Sequence, residues 1–147
     1  SEARLLHKPA HIVDIAATIY DVAGAAYPDE LHGNSITPLE GESFLGVFDG
    51  AEFTRQAPIC WEHEGNRAVR MCDWKLVSEG NTRWELYNMA QDRTELNDLS
   101  ESESGRVAEM TAVYEEWAAR IGALPWPVGT GGTASPRVGT MHIHDVG

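Results

Sequence analysis

The sequence predicts an α+β fold: a four-stranded antiparallel sheet packed against a long C-terminal helix, preceded by an N-terminal helix and a long loop. Three observations carry this expectation. PICWEHEG, NRAVRMCD, WKLVSEG and TRWELYNM follow one another between Pro58 and Met89, each short and rich in β-branched and aromatic residues. Val107, Met110, Tyr114, Trp117 and Ile121 recur every three or four residues, the period of one helix face. The length of 147 residues, with 42% hydrophobic and 23% charged residues, suits one globular domain with a small core.

The first element is HIVDIAATIYDVAG, in which Ile12, Ile15, Ile19 and Val22 stand at helical spacing with Ala16 and Ala23 beside them. This pattern predicts a helix over 11–23 that buries the stripe, stopped by Gly24, which enters the left-handed conformation cheaply. Pro28, Gly33, Pro38, Gly41, Gly46 and Gly50 then punctuate residues 25–57. Breakers at that density predict a long ordered loop laid over a neighbouring surface, with a short helical turn near 43–47.

Within the sheet, Gly65-Asn66 and Gly80-Asn81 mark two turns and Asp73 lies near the third. Alternation puts Ile59, Trp61 and His63 on one face of the first strand, and separates Ala68, Arg70 and Cys72 from Arg67, Val69 and Met71 in the second. Both faces mix polar and apolar residues, so one is expected on the helix and the other on something else. Ser100 and Glu103 read as an S-x-x-E capping box opening the last helix. Residues 1–127 form the expected domain, and 128–147, rich in Gly, Thr and Ser, read as an extended tail.

A formal net charge of −12, from 23 acids against 11 Lys and Arg, repels phosphate backbones and anionic lipids, which argues against nucleic-acid and membrane-surface partners. The longest apolar-leaning stretch, 11–26, is interrupted by Asp14 and Asp21 and is too polar to span a bilayer. Nothing at the N-terminus reads as a signal peptide, and SEARLLHKPAH without a Met reads as a cut from a longer protein. Cys60 and Cys72 belong to no CxxC pair. One bridge across a hairpin is conceivable, buried free thiols are preferred, and the compartment stays open.

Chemistry candidates are few. His63 sits between Glu62 and Glu64 at a strand end, but alternation turns it away from both acids. It is either a donor to a substrate at the sheet rim or a structural histidine. Arg67, Arg70 and Lys75 gather positive charge that would suit an anion. Pairing with Glu62, Glu64 and Glu85 across the strands is the favoured reading. His142 and His144 form an H-x-H beside Asp145, too few ligands for a zinc site. With no P-loop, G-x-S-x-G, H-E-x-x-H or G-x-G-x-x-G, the residues alone describe a domain without a self-contained active site.

Three stretches, in order, resemble the sulfatase family, closest to its arylsulfatase-like branch in the alkaline phosphatase superfamily. HIVDIAATIYDVAGAAYPDELHGNSITPLEGESF is similar to the segment that follows the catalytic domain. WEHEGNRAVRMCDWKLV resembles a Trp-Glu-His hairpin leading to Ala-x-Arg and Asp-Trp-Lys-Leu-Val, and WELYNMAQDRTELNDLS resembles the closing pattern. Ala17 stands where relatives often carry Pro, and Cys72 where they often carry Gly. The resemblance, over about residues 8–127, implies a C-terminal subdomain abutting a large α/β domain at the rim of the substrate pocket, with His63 as a substrate contact.

It also implies that the nucleophile, a formylglycine made from Cys or Ser in C/S-x-P-x-R, lies upstream, as do the ligands of a divalent cation, expected to be calcium. This chain would then bind no cofactor and be inactive alone. Its implied partners are that N-terminal catalytic domain, the sulfate ester substrate, and a second copy through an exposed sheet face. A phosphonate or phosphodiester hydrolase of the same superfamily and a non-catalytic interaction module are the alternatives.

Overall fold

A computed structural model of the chain describes residues 5–126. The elements are α1 (Val13–Val22), β1 (Glu30–Leu31), β2 (Asn34–Ser35), a 3-10 turn (Leu45–Asp49), β3 (Ile59–His63), β4 (Asn66–Met71), β5 (Trp74–Ser78), β6 (Glu85–Asn88) and α2 (Ser104–Ile121). β3 to β6 form an antiparallel meander in chain order, with α2 packed on one face, as the α+β expectation requires. No helix among the described residues is long and apolar enough to cross a membrane.

Register explains the core. Cys60 pairs with Val69, Val69 with Leu76, and Leu76 with Leu86, so four successive strands send one buried residue each toward α2. Met110 and Tyr114 meet them, flanked by Val107, Val113, Trp117, Trp74 and Trp84. Each large side chain fully removed from water contributes about 1.5–3 kcal/mol. Ile121, the last position of the predicted stripe, is 40% exposed and lies outside this core.

The turns are set by backbone conformation. Glu64 and Gly65 both have positive φ (52° and 85°), the requirement of the tight hairpin turn whose twist matches the strands. The first turn is therefore centred on Glu64-Gly65, one residue before the Gly65-Asn66 reading, and His63 pairs with Asn66. Cys72 takes a φ of 48° in the second turn, between Met71 and Trp74. The same rule builds a hairpin that the sequence reading missed: His32 and Gly33 (52° and 78°) join β1 to β2 inside the long loop. Its signal was the Gly33-Asn34 pair.

Three expectations are corrected. The S-x-x-E box does not form: α2 starts at Ser104 behind Glu103, which makes no side-chain cap bond. Upstream, the Ser100 amide is taken by Asp98, whose Oδ1 accepts from it at 2.9 Å and from the Leu86 amide at 3.0 Å. Cys60 and Cys72 are both free and do not face each other, since Cys60 pairs with Val69, and Cys72 is exposed rather than buried.

The third correction concerns α1, whose apolar stripe points outward. Ile12 is 76% exposed, Ile15 50%, Ile19 61% and Val22 62%, whereas Asp14, Ala17 and Thr18 are buried. Specific bonding sets the orientation of the helix here. Asp14, with no exposed surface, accepts hydrogen bonds from the amides of His11 (2.7 Å) and Glu42 (2.8 Å) and pairs with Arg55, whose side chain is 6% exposed. Thr18 donates to the Asp14 carbonyl at 2.7 Å and accepts from the Phe44 amide at 3.2 Å. Gly41 lies so close beneath that a Cβ there would collide with the Val13 carbonyl. The loop thus clamps the polar side of α1.

Replacing Asp14 by Ala strands the Arg55 charge and should cost about 3–5 kcal/mol in urea unfolding. Burial pushes the Asp14 carboxyl up, but the His11 and Glu42 amides and Arg55 outweigh it and hold the pKa below the usual carboxylate value. Its contribution is then fully present above the unfolded value of about 3.9 and lost as pH falls through the folded one. The loss of stability on acidification below about pH 4 should be shallower in Asp14→Asn than in the unaltered chain. Cys72→Gly removes a left-handed non-glycine residue and should raise the urea midpoint by the equivalent of about 0.5–1 kcal/mol.

Candidate functional site

One end of the sheet gathers the β3–β4 turn, the β5–β6 turn and the segment that follows α2. The Asn81 amide donates to the Gly65 carbonyl at 3.0 Å, and the Gly80 amide to Asn66 Oδ1 at 3.0 Å. Asn66 Nδ2 donates to the His63 carbonyl at 3.0 Å, and the Gly65 amide to Glu62 Oε1 at 2.8 Å. Asn81 Nδ2 reaches the Trp126 carbonyl at 2.6 Å, drawing the Trp126 ring over Gly65. A Cβ at Gly65 would stand 3.0 Å from Trp126 Cδ1, so only glycine admits that approach together with its φ.

His63 is carried by this knot. Its backbone is fixed by the hairpin register and Asn66, while its side chain is exposed on the face opposite Glu62. The predicted separation of the imidazole from the two acids therefore follows for Glu62, whose carboxylate serves the turn amide instead. Trp126 was not singled out in the sequence, and Asn81 was read only as a turn residue; their joint role at this rim depends on a contact 45 residues apart.

The basic cluster is split. Arg67 lies on the α2 side, stacked 4.5 Å from the Trp84 ring centre and 5.8 Å from that of Tyr114, with Nη2 donating to Ser78 Oγ at 3.0 Å. Its Nε is buried without a partner among the described residues. Arg70 and Lys75 are cross-strand partners on the other face. Arg70 Nε donates to the Cys72 carbonyl at 2.8 Å, and Lys75 pairs with Glu95 at 2.6 Å.

None of the expected pairs with Glu62, Glu64 or Glu85 forms among the described residues. Glu62 is engaged by the turn, and Glu85 by the Tyr87 hydroxyl at 2.7 Å and Arg83 at 3.6 Å. The hydrogen bond to Glu85, with burial, raises the Tyr87 pKa well above the ordinary tyrosine value and keeps the phenol protonated.

Among the described residues no group of three or more His, Cys, Asp and Glu could hold a metal ion. Cys60 is a poor nucleophile, because burial pushes its thiol up to about 11. His142 and His144 lie outside the described residues. The arrangement presents one imidazole on a rigid rim; it holds no nucleophile paired with a base.

The family model described as N-sulphoglucosamine sulphohydrolase, C-terminal, matches residues 6–119. An uncharacterized sulfatase of Schizosaccharomyces pombe is 27% identical over 123 residues, covering 79% of this chain and 22% of that protein. The crystal structure of Ps i-CgsB shares the fold with a TM-score of 0.62 at 24% identity, over 77% of this chain and 25% of that one. A 2-O GAG sulfatase shares it with a TM-score of 0.55 at 24% identity, over 75% of this chain and 25% of that one. The chain thus spans about a quarter of the length of these relatives. With most of its length matched, it belongs to the N-sulphoglucosamine sulphohydrolase C-terminal family, the C-terminal domain of sulfatases.

Proposed function

We propose that this chain is the C-terminal subdomain of an arylsulfatase-like sulfuric ester hydrolase. It completes the fold and forms the rim of a substrate pocket whose nucleophile and metal site lie on an N-terminal catalytic portion. The observation that carries this reading is the outward apolar stripe of α1. Ile12, Ile15, Ile19 and Val22 are exposed together with Phe48, and an apolar cavity of about 410 Å³ opens between α1 and the Phe44–Phe48 turn.

A contiguous exposed apolar surface marks a contact, and the reading assigns that contact to a catalytic portion like the one that makes up the rest of the relatives' length. The expected contact included the second face of the sheet as well as the loop. The exposed large apolar side chains among the described residues favour α1 and the loop, for none belongs to β3–β6. The same distribution gives little support to a homodimer through the sheet face.

The residues described here do not fit the cofactors of such an enzyme. Cys60 lies between Ile59 and Trp61, Cys72 between Met71 and Asp73, and neither is followed by the x-Pro-x-Arg that formylglycine formation needs. No step of hydrolysis is assigned to this chain. His63, exposed on a fixed backbone, orients the substrate, an interaction made alike in ground and transition states that lowers KM rather than raising kcat.

The purified chain should hydrolyse an aryl sulfate no faster than buffer does, and robust turnover would refute the proposal. Joined to its catalytic portion, His63→Ala should raise KM by about tenfold and leave kcat within about twofold. A fall in kcat at unchanged KM would assign His63 to the chemistry instead.

A further inference from the structure

A second cavity, of about 160 Å³, lies at the other end of the sheet, bounded by residues 8–9, residues 54–58 and the β4–β5 turn. Its apolar walls include Pro9, Pro58, Ile59 and Met71, and its cations are Lys8, Arg55 and Arg70. Arg55 is neutralised by Asp14. Lys8 and Arg70 have no carboxylate partner among the described residues; the Arg70 side chain donates through Nε to the Cys72 carbonyl, a bond that does not use its terminal nitrogens. Asp73 also lines the cavity and pairs with neither.

In a chain with 23 acids and 11 Lys and Arg, two uncompensated cations on one cavity are a selective arrangement. An apolar space of about 150 Å³ accommodates one benzene-sized ring, and a guanidinium beside an ammonium suits an oxyanion.

We propose that this cavity binds a small organic anion, its single ring or short alkyl body against Pro9, Pro58, Ile59 and Met71 and its charged oxygens on Lys8 and Arg70. Carboxylate, sulfonate and sulfate heads share this chemistry. The site uses only this chain's residues and does not depend on the catalytic reading above, so the two stand or fall separately.

The chain carries its own reporter, since exposed Cys72 lines the cavity whereas Cys60 is buried with its thiol pushed up to about 11. Calorimetric titration of the 147-residue chain with benzenesulfonate and with benzoate should show saturable binding by at least one of them. The ligand that binds should slow alkylation of Cys72 by iodoacetamide, followed by intact mass. Benzyl alcohol, of similar size and uncharged, should do neither. Arg70→Gln and Lys8→Gln should each weaken binding by about tenfold. Lys8 lies outside every helix and strand, so its variant decides the matter if Arg70→Gln loses the fold, as judged by circular dichroism. Absence of saturable binding, equal binding of benzyl alcohol, undiminished binding by Lys8→Gln, or binding that leaves Cys72 unprotected would each overturn the proposal.

Discussion

A carboxylate sealed from water holds the two halves of this domain in register. Asp14 takes two backbone amides and one guanidinium, satisfying a charge that would otherwise be prohibitive to bury. Arg55 extends the connection, since its Nη2 also donates to the Glu40 carbonyl at 3.2 Å. Glu40 in turn receives Arg120 from α2. The long loop is thereby fastened to the helix before it and to the helix after it. Without this clamp, nothing would hold the polar side of α1 inward, and its isoleucines would have no reason to point away.

The sheet imposes the other constraint. Its register sends Cys60, Val69, Leu76 and Leu86 to α2 and leaves Arg70, Lys75, Glu85 and Tyr87 on the opposite face. A stretch that holds acid, histidine and arginine side by side in sequence is thereby divided between two environments. Glu62 and Arg67 go to the α2 side, where the arginine is held by aromatic rings and Ser78. His63 goes to the open side at the rim. Proximity along a strand separates side chains as reliably as proximity along a helix groups them.

Much of this was legible from the sequence. The four strands and α2 follow from period-two and period-3.6 patterns read over short windows, and the family resemblance named a sulfatase domain that the match over residues 6–119 establishes. The turns were legible to within one residue, because Gly65 and Gly80 advertise positive φ but do not say which position of the turn they fill. The capping box failed for a different reason. Ser100 and Glu103 have the right spacing, yet Asp98 offers its carboxylate to both the Ser100 and Leu86 amides, and a local motif yields to a contact that also ties down a strand. At the site, the turning of His63 away from Glu62 followed from alternation, whereas its exposure and the Trp126 ring over Gly65 came from the tertiary structure.

The sequence by itself determined which segments become strands and helices, which strand residues share a face, and that a sulfatase C-terminal domain is built from them. Those properties depend on neighbours within a turn or two, where sterics and hydrogen-bond geometry leave few choices. Only the tertiary structure decided which side of α1 is buried. An amphipathic pattern states that a helix has two faces; whether the apolar one turns inward depends on what the rest of the chain can offer each. Here the loop supplies the Glu42 amide and Arg55 to Asp14, which turns that side of α1 inward and leaves four aliphatic side chains on the surface of this chain.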